Sequence, residues 1–563
     1  MYLCNSEKVR MIYPKIPLAQ SILEILLAKE ITTIVISPGS RNAPLTIGFV
    51  NNPKFTCYSI ADERCAAFFA VGIAQQIQKP VVIVCTSGSA LLNYYPAFAE
   101  AFYSQIPLIV LSADRPLDKI DIGDGQTIRQ QNVFANHSLF NANLTDEVSE
   151  TNDFLINEAI NVSISKKGPV HINAPFEEPL YETSTQLLVA PKIQLSVSVN
   201  SNFFEQNLTE FVEIWNSSKR KLFLVGVNDP NVLSSETIEQ IASDKSILVL
   251  TETTSNLHHS SFINTIDTLI TPFSQTDFEN FQPDILVTFG GMIVSKRIKA
   301  FLRKYRPKHH WHIDSQRAYD TFNCLTQHFE TNPEIFFSKF LPLTFNIESD
   351  YFEKTQRINL DRIKKTKTYL SNIRFSDFKV FDIIIPRLNK NSQLQISNSS
   401  PIRYAQLIEI DPSIEVFSNR GTSGIDGSTS TAIGAAVGNK KQTTLICGDI
   451  GFLYDSNALW NNYIPKNFKI ILINNGGGGI FRILPGHDET KVFNTFFETS
   501  HCLTAEHLAK MYHFQYATAS DENSLKNSLN IMFNENEKPF LLEIFTPTLC
   551  NDSVLLNYFK FLQ

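Results

Sequence analysis

Two short motifs near the C-terminal end could together bind a divalent cation and a phosphate group. Gly448-Asp449 ends one apolar run, and Asn474-Asn475 ends the next and leads into four glycines at 476–479. Carboxylate, amide and backbone carbonyl oxygens suit Mg²⁺, while phosphate oxygens and water would complete an octahedron. The glycines would let the backbone approach a diphosphate. Taken singly, each motif is also typical of a helix cap or a turn. The metal and phosphate site is therefore indicated by the pair of motifs at this spacing.

These motifs need a scaffold that brings successive strand ends together. The chain alternates short apolar runs with helix-length amphipathic stretches, which is typical of parallel strands covered on both faces. This alternation occurs in three blocks, at 1–185, 200–345 and 360–563. We therefore predict an α/β protein with three doubly wound parallel-sheet domains. In such sheets ligands bind beyond the carboxyl ends of the strands, where Asp449 and Asn475 are expected.

Composition and charge narrow the class of protein. The 563 residues carry 49 Lys+Arg against 56 Asp+Glu, a formal charge of −7, which argues against a nucleic-acid-binding protein or a polybasic membrane surface. No apolar run suits a signal peptide or a membrane span, so we predict a cytoplasmic protein. The eight cysteines have no C-x-x-C spacing, and we expect reduced core residues, not zinc ligands or disulfides.

The motif pair and several further segments resemble thiamine-diphosphate enzymes. The run "GDIGFLYDSNALWNN" followed by "ILINNGG" is similar to the metal and diphosphate signature of that family. Its menaquinone-pathway branch is indicated by "SPGSRNAPL", "DERCAAFFAVGIA", "SADRP", "GQTIRQ", "SNRGTSGIDGSTSTAIGAA" and "GGIFRILPG". The resemblance implies the thiamine-diphosphate-enzyme architecture, with a pyrimidine-binding domain at 1–185, a middle domain at 200–345 and a diphosphate-binding domain at 360–563.

The resemblance assigns cofactor roles to five residues. Asp449 and Asn475 would bind Mg²⁺ or Mn²⁺ through their side chains, and Gly477 through its carbonyl. Ile425 would hold thiamine diphosphate in a bent conformation. Glu63 would share a proton with the pyrimidine ring, a catalytic role that requires a desolvated carboxyl with a raised pKa. Without the resemblance, Glu63 is equally well explained as a first-turn helix residue, and Ile425 is better explained by ordinary packing.

The resemblance also implies two substrates with two carboxylates each, and bidentate arginine is the natural counter-ion for a carboxylate. By position, the residues around 2-oxoglutarate would be Ser399, Arg403 and Arg420. Those around isochorismate would be Ser40, Arg41, Arg115, Gln126, Lys296 and Arg297. An apolar wall would be formed by Ile480, Phe481 and Leu484. Arg41 and Arg115 could instead be solvated loop residues.

The implied activity is decarboxylation of 2-oxoglutarate followed by 1,4-addition of the succinyl carbanion to isochorismate. The implied assembly is a homodimer with shared active sites, extended to a homotetramer, without nucleic-acid or integral-membrane partners. One alternative is another thiamine-diphosphate-dependent 2-oxoacid decarboxylase or synthase, although small apolar substrates would not require so many cations. A second is a non-catalytic α/β binding protein, which the loss of Glu63 or Asp449 would favour; both residues are present.

Overall fold

Contacts within the chain group its residues into two units. The computed structural model describes residues 11–195, 208–483, 490–535 and 537–563. The first unit contains the described residues before 199 together with Gly421–Lys440 and Asp455–Pro465. The second unit contains the described residues of Val199–Arg420, Lys441–Tyr454 and Lys466–Gln563. Each unit is built on parallel β-sheet.

The first unit contains a six-stranded sheet with the strand order β3-β2-β4-β5-β7-β6, in which every pair is parallel. A short antiparallel pair, β1 with β8, lies outside it. The strands are β1 (Tyr13–Pro14), β2 (Thr33–Ile36), β3 (Thr56–Ser59), β4 (Val81–Cys85), β5 (Leu108–Asp114), β6 (Asn141–Asn143), β7 (Pro169–Pro175) and β8 (Thr183–Ser184). The helices before residue 199 are α1 (Pro17–Ala28), α2 (Ala43–Val50), α3 (Glu63–Ile77), α4 (Ser89–Asn93), α5 (Tyr95–Ser104) and α6 (Glu150–Ser165).

The second unit begins with a five-stranded parallel sheet of order β10-β9-β11-β12-β13. Its strands are β9 (Lys221–Val225), β10 (Ile247–Thr251), β11 (Ile285–Phe289), β12 (His309–Ile313) and β13 (Gln327–Phe329). The accompanying helices are α7 (Thr209–Ser217), α8 (Ser235–Ser243), α9 (Ile266–Ile270), α10 (Gln275–Phe281), α11 (Lys296–Lys304), α12 (Pro333–Phe340) and α13 (Tyr351–Asn372).

A third, six-stranded sheet has the order β15-β14-β16-β17-β19-β18, again all parallel. Its strands are β14 (Gln393–Ile396), β15 (Glu415–Phe417), β16 (Thr443–Gly448), β17 (Lys469–Asn474), β18 (Gln515–Ala519) and β19 (Phe540–Phe545). The remaining helices are α14 (Asp377–Ile384), α15 (Ser400–Ala405), α16 (Ser428–Gly438), α17 (Asp449–Tyr454), α18 (Lys491–Phe496), α19 (Glu506–Met511), α20 (Glu522–Asn534) and α21 (Asn551–Phe561). The third sheet therefore repeats the strand order of the first.

Strand residues of the middle sheet enter two separate hydrophobic cores in alternation. Phe223 and Val225 belong to a core that also contains residues of α7 and α12, whereas Leu222 and Leu224 belong to a core with residues of α9 and α11. The alternation follows from the two-residue period of a strand. Both faces of this sheet are thus covered by helices, which is why its strands are apolar almost without interruption.

Helix α16 packs against α3 within the first unit, and glycines make the contact close. A Cβ at Gly72 would lie 2.1 Å from the backbone oxygen of Thr431, and one at Gly434 would lie 2.0 Å from that of Phe69. Any side chain at these two positions would force the helices apart. The residues from 421 to 440 therefore complete the hydrophobic packing of a helix that begins at Glu63.

The predicted fold class of three parallel-sheet α/β domains is confirmed. Five strands were not predicted: the short pair β1 and β8, and the strands β6, β13 and β18, each of which lies at the end of its sheet. In the segments that the structure describes, no helix combines the length and apolar content needed to cross a bilayer. Seven cysteines are described, all as free thiols, and Cys502 is exposed instead of being in the core.

Candidate active site

Asp449 stands at the carboxyl end of β16, where α17 begins, and its carboxylate joins two loops of the second unit. Its Oδ1 accepts a hydrogen bond from Ile450 N at 2.7 Å. Its Oδ2 accepts from Gly476 N at 2.9 Å and from Gly477 N at 3.0 Å. Gly476 has φ 79°, a conformation that favours glycine. The predicted convergence of Asp449 with the glycine run after β17 is therefore present in the structure.

The glycine run is held from the other side by a buried ion pair. Arg482 Nε and Nη2 donate to Glu498 at 2.5 and 2.6 Å, and both side chains are nearly inaccessible, at 4% and 1% exposure. The backbone oxygen of Glu498 accepts from Gly478 N at 2.6 Å. A Cβ on Gly477 would lie 2.9 Å from that same oxygen. The Arg482–Glu498 pair thus fixes the segment that carries the Gly477 carbonyl.

Asn475 is oriented by Asp377, a residue that sequence reasoning missed. Asn475 Nδ2 donates to Asp377 Oδ2 at 2.9 Å, and Thr546 Oγ1 donates to Asp377 Oδ1 at 2.6 Å. Burial raises the pKa of Asp377 to about 6. Since a carboxylate accepts hydrogen bonds, this contact directs the amide nitrogen of Asn475 toward Asp377. Asn475 Oδ1 is then the atom that remains for a cation.

These atoms fit a divalent cation beside a diphosphate. The side-chain oxygens of Asp449 and Asn475 and the Gly477 carbonyl are hard donors, and a single carboxylate leaves charge for a diphosphate to neutralise. Burial raises the pKa of the Asp449 carboxyl, a tendency that a bound cation would oppose. His501 Nε2 lies 3.3 Å from Asp449 Oδ2 and is a buried nitrogen without a hydrogen-bond partner among the described residues. A diphosphate oxygen would suit that nitrogen.

Arg403 and Arg297 share an acidic neighbour in the second unit. Asp267 is buried, and burial raises its pKa, while the charges of Arg297 and Arg403 lower it. Burial lowers the pKa of Arg403, and Asp267 opposes that shift. The guanidinium of Arg297 also lies over the ring of Phe559, at 4.5 Å from its centroid. The structure therefore brings Arg297 near Arg403, although the resemblance assigned them to different substrates.

Arg420 is positioned by polar residues at the end of β14. Its Nη1 donates to Asn398 Oδ1 at 2.6 Å. Ser399, the next residue, has φ 71° and precedes α15, so the chain turns sharply there. Glu252 is buried, accepts from the amides of Val294 and Ser295, and has its pKa raised to about 7 by burial, with Arg420 lowering it. Asn398 and Glu252 were not predicted.

Lys296 and the apolar wall are less closely tied to these groups. Lys296 is exposed in the first turn of α11. Ile480 and Phe481 lie half-buried in the 3₁₀ turn Gly479–Ile483, directly after the glycine run. Leu484, the third predicted wall residue, lies outside the described residues.

Glu63 begins α3 in the first unit, immediately after its N-cap. Asp62 caps the helix by accepting from Cys65 N at 3.0 Å. Burial raises the pKa of the Glu63 carboxyl, and the charge of Asp62 raises it further. Burial raises the pKa values of Cys85 and Tyr94, and the charge of Glu63 raises them further, so Glu63 lies near these two buried groups. This environment suits a carboxyl that must hold a proton near neutral pH.

Ile425 lies in the loop before α16, also in the first unit, and is half-buried. Two residues later, Gly427 has φ 72°, and a Cβ there would lie 2.1 Å from the Phe68 ring of α3. The loop that carries Ile425 is therefore pressed against the helix that begins at Glu63.

Arg41 and Arg115 lie together at the carboxyl edge of the first sheet. Arg41 is buried, and its Nη1 donates to the Phe176 carbonyl at 2.9 Å. Burial lowers the pKa of Arg41, and the charge of Arg115 lowers it further. In the described part of the chain, the buried Nε atoms of both arginines have no hydrogen-bond partner. Two adjacent guanidiniums with unused donors are suited to a carboxylate ligand.

Ser40 and Gln126 belong to the same edge. Ser40 is exposed beside Arg41, whose backbone nitrogen donates to Thr86 Oγ1 at 3.2 Å. Gln126 is exposed with φ 54°, and its carbonyl lies 3.3 Å from the Cβ position of Gly88, just after β4. Four of the predicted isochorismate residues are thus neighbours of the β2 and β4 ends, whereas Lys296 and Arg297 belong to the second unit.

Comparisons with known proteins match nearly the whole length of this chain. Models of the thiamine pyrophosphate enzyme family match in three parts: the N-terminal TPP binding domain at 16–138, the middle domain at 218–396 and the C-terminal TPP binding domain at 399–544. A protein of Flavobacterium johnsoniae named 2-succinyl-5-enolpyruvyl-6-hydroxy-3-cyclohexene-1-carboxylate synthase is 69% identical over 98% of this chain and 100% of its own. The chain belongs to that synthase family.

Synthases of the same name from Flavobacterium psychrophilum and Christiangramia forsetii are 67% and 52% identical, each over 98% of this chain and 100% of their own. The resemblance to the menaquinone-pathway branch of the thiamine-diphosphate enzymes is therefore confirmed. The chain is a thiamine-diphosphate-dependent enzyme, and the alternative of a non-catalytic binding protein is not supported.

Proposed function

We propose that the chain decarboxylates 2-oxoglutarate and adds the resulting succinyl carbanion to isochorismate in a 1,4 manner. The product is 2-succinyl-5-enolpyruvyl-6-hydroxy-3-cyclohexene-1-carboxylate, an intermediate of menaquinone biosynthesis. The observation that carries the choice of substrates is the presence of two separate cationic groups, one at the edge of the first sheet and one around Arg403. Substrates with two carboxylates each account for both groups, whereas a small apolar 2-oxoacid would need neither.

Thiamine diphosphate supplies a carbon nucleophile and an electron sink for loss of CO₂. Glu63 would share a proton with the pyrimidine nitrogen, and the burial that raises the pKa of its carboxyl supports that role. Asp449, Asn475 and Gly477 hold Mg²⁺ or Mn²⁺, with Asp377 keeping the Asn475 oxygen available. Ile425 would contact the cofactor from a loop that is itself fixed against Phe68, and the resemblance implies that this contact favours a bent conformation.

The residues assigned to the substrates bind the substrate carboxylates and orient the two substrates. Ser399, Arg403 and Arg420 bind the carboxylates of 2-oxoglutarate, and Asn398 restricts the guanidinium of Arg420. The isochorismate residues are Ser40, Arg41, Arg115 and Gln126 at the edge of the first sheet, together with Lys296 and Arg297 of the second unit, of which Arg297 shares the neighbour Asp267 with Arg403. Ile480 and Phe481 form the apolar side, which excludes water from the reacting carbon, and the resemblance assigns Leu484 to the same role. Orientation of two anionic substrates in one site is the main contribution of the protein.

The domain at 1–185 binds the pyrimidine, and the domain at 360–563 binds the diphosphate. The domain at 200–345 is the middle domain. We further propose a homodimer with shared active sites, assembled into a homotetramer in the cytoplasm. An exposed apolar group in the second unit, Val492, Phe496 and Phe497, supports burial against another copy. Sedimentation of the purified chain measures the assembly, and a monomer with full activity would contradict shared sites.

The test of the reaction uses purified chain with thiamine diphosphate and Mg²⁺. Isochorismate and 2-oxoglutarate are added together, and loss of the isochorismate absorbance is followed beside release of CO₂. We expect both signals to appear in equal amounts and only when both substrates are present. Rapid CO₂ release from 2-oxoglutarate alone would favour a simple decarboxylase instead. Turnover of pyruvate at a comparable rate would contradict the role of the arginines.

A further inference from the structure

A histidine, an aspartate and a cysteine meet at the edge of the middle sheet. His310 is buried in β12, Cys324 is half-buried and Asp320 is exposed in the turn that leads from β12 to β13. One potential ligand atom from each lies within 4.8 Å of the other two. None of the three belongs to the cofactor or substrate groups described above.

Hydrogen bonds to the backbone hold both His310 and the turn that carries Asp320 and Cys324. Thr326 N donates to the His310 carbonyl at 2.9 Å, and His310 N donates to Thr326 Oγ1 at 2.9 Å. Asp320 Oδ1 accepts from the amides of Cys324 and Leu325 at 2.8 and 3.0 Å, which closes the turn on itself. Asp320 Oδ2 is not used in closing the turn, so a carboxylate oxygen remains for a ligand. Its exposure gives an ion and water a route in.

The imidazole of His310 has the surroundings of a metal ligand. Its Nδ1 faces Cys324 Sγ at 3.9 Å, while its Nε2 lies 2.9 Å from Thr288 Oγ1. Thr288 Oγ1 also lies 2.8 Å from His312 Nδ1 and 3.5 Å from the Trp311 carbonyl, and its two lone pairs allow it to accept from either ring. When it accepts from His310, the Nδ1 lone pair is directed at Cys324. A ligating histidine commonly donates its other N–H in this way.

One of the three distances between ligand atoms can be compared with the geometry of a zinc site. Tetrahedral zinc, with bonds of about 2.0–2.3 Å, separates its ligand atoms by roughly 3.3–3.8 Å. The observed Nδ1–Sγ distance of 3.9 Å is within a small side-chain adjustment of that range. A mixed nitrogen, sulfur and oxygen set favours zinc over magnesium, which prefers oxygen ligands. Three protein ligands leave the fourth position to water.

We propose that His310, Asp320 and Cys324 bind one Zn²⁺ per chain and so fasten the turn between β12 and β13 to the edge of the middle sheet. Binding replaces the thiol proton of Cys324 with a sulfur–zinc bond, and the proton leaves to solvent. A cysteine thiol is ordinarily protonated at pH 7, so Cys324 supplies the proton that is released. For Cys324, this proposal replaces the expectation from sequence that the cysteines are not zinc ligands.

The experiment uses the full chain, treated with a chelator and then returned to thiamine diphosphate and Mg²⁺. Zn²⁺ is titrated against a competing indicator, and proton release is measured at pH 7 in weak buffer. We expect one Zn²⁺ and about one proton per chain. Co²⁺ in place of Zn²⁺ should give a thiolate-to-cobalt charge-transfer band, which an oxygen-only site such as that of Asp449 cannot produce.

Matched variants locate the site. Cys324→Ser should abolish the cobalt band and weaken Zn²⁺ binding by more than the roughly 10–100-fold that loss of an outer partner costs, which is the effect expected for Thr288→Val. Cys57→Ser, at another half-buried cysteine, should change neither signal. Asp449→Asn should also retain the band. Absence of stoichiometric Zn²⁺ binding, or a cobalt band that survives Cys324→Ser, would overturn the proposal.

Discussion

The Arg482–Glu498 pair allows a quantitative test of how the glycine run is held. Glu498→Gln keeps the shape of the side chain but leaves the Arg482 charge buried with an amide in place of its carboxylate. Removing one partner of a buried pair costs about 3–5 kcal/mol, because the remaining charge is desolvated and poorly matched. Both side chains are at most 4% exposed, so little solvent screening reduces that figure. We expect the segment Gly476–Gly479 to open far more easily.

Hydrogen exchange at the Gly478 amide is the assay, since this amide donates to the Glu498 backbone oxygen. At about 1.4 kcal/mol per factor of ten, a loss of about 3 kcal/mol corresponds to a roughly 150-fold faster exchange. Mass spectrometry of a peptide spanning the glycine run measures the change. The increase is limited by the opening free energy of that segment in the unaltered chain.

The matched control is Glu506→Gln. Glu506 also forms an ion pair, with Lys510 Nζ at 2.6 Å, but both side chains are largely exposed. Because an exposed pair contributes little to stability, we expect no change in hydrogen exchange at the glycine run. The double variant Arg482→Met with Glu498→Leu should restore most of the protection, because no buried charge is left unpaired. An equally small effect of Glu498→Gln and Glu506→Gln would show that the buried ion pair does not hold the glycine run.

Three further predictions concern catalysis and pH. Glu63→Gln should leave thiamine diphosphate binding nearly unchanged and lower turnover by about 10²–10⁴-fold, as calorimetry and steady-state rates would measure. Arg403→Ala should raise KM for 2-oxoglutarate by roughly 10- to 100-fold and Arg41→Ala should do so for isochorismate, each with little effect on the other substrate. Burial raises the pKa of Asp455 from 3.8 to about 6. The folded chain therefore retains a proton that the unfolded chain loses, and stability falls by up to about 3 kcal/mol as pH rises from about 4 to about 6. Asp455→Asn should remove that fall, measured as denaturant midpoints between pH 4 and 7.

Each of these has a contrary result. Unchanged turnover in Glu63→Gln would remove that carboxyl from proton transfer. If either arginine variant raised both KM values equally, the assignment of separate substrates to the two cationic groups would be wrong. Parallel stability curves for Asp455→Asn and the unaltered chain would show that Asp455 does not bind the extra proton.

The sequence predicted the central strands of the three main sheets but missed one edge strand in each sheet. Strands such as β4, β11 and β17 are buried on both faces, so their apolar runs stand out. By contrast, β6 reads Asn-Ala-Asn and β13 reads Gln-His-Phe, because a short edge strand packs on few neighbours. A hydrophobic pattern in the sequence indicates buried positions, and these short edge strands have few buried residues.

The candidate site was predictable where a motif is local. Asp449 and the glycine run follow consecutive strands, and parallel topology brings such ends together. Asp377 lies 98 positions from Asn475, and Glu498 lies in a loop without any recognisable motif. His310, Asp320 and Cys324 likewise have no standard ligand spacing. Side chains that support a site from distant parts of the chain leave no local pattern, so only the folded structure identifies them.

Helix α16 has a consequence for how the protein is made. The first unit includes Gly421–Lys440 and Asp455–Pro465, so its membership is complete only after most of the polypeptide has left the ribosome. Until then, the glycine-lined surface of α3 at Gly72 has no partner. A fragment that ends near residue 195 should accordingly be prone to aggregation and should depend on chaperones. Neither unit can be separated from the other by cleaving the chain at one position.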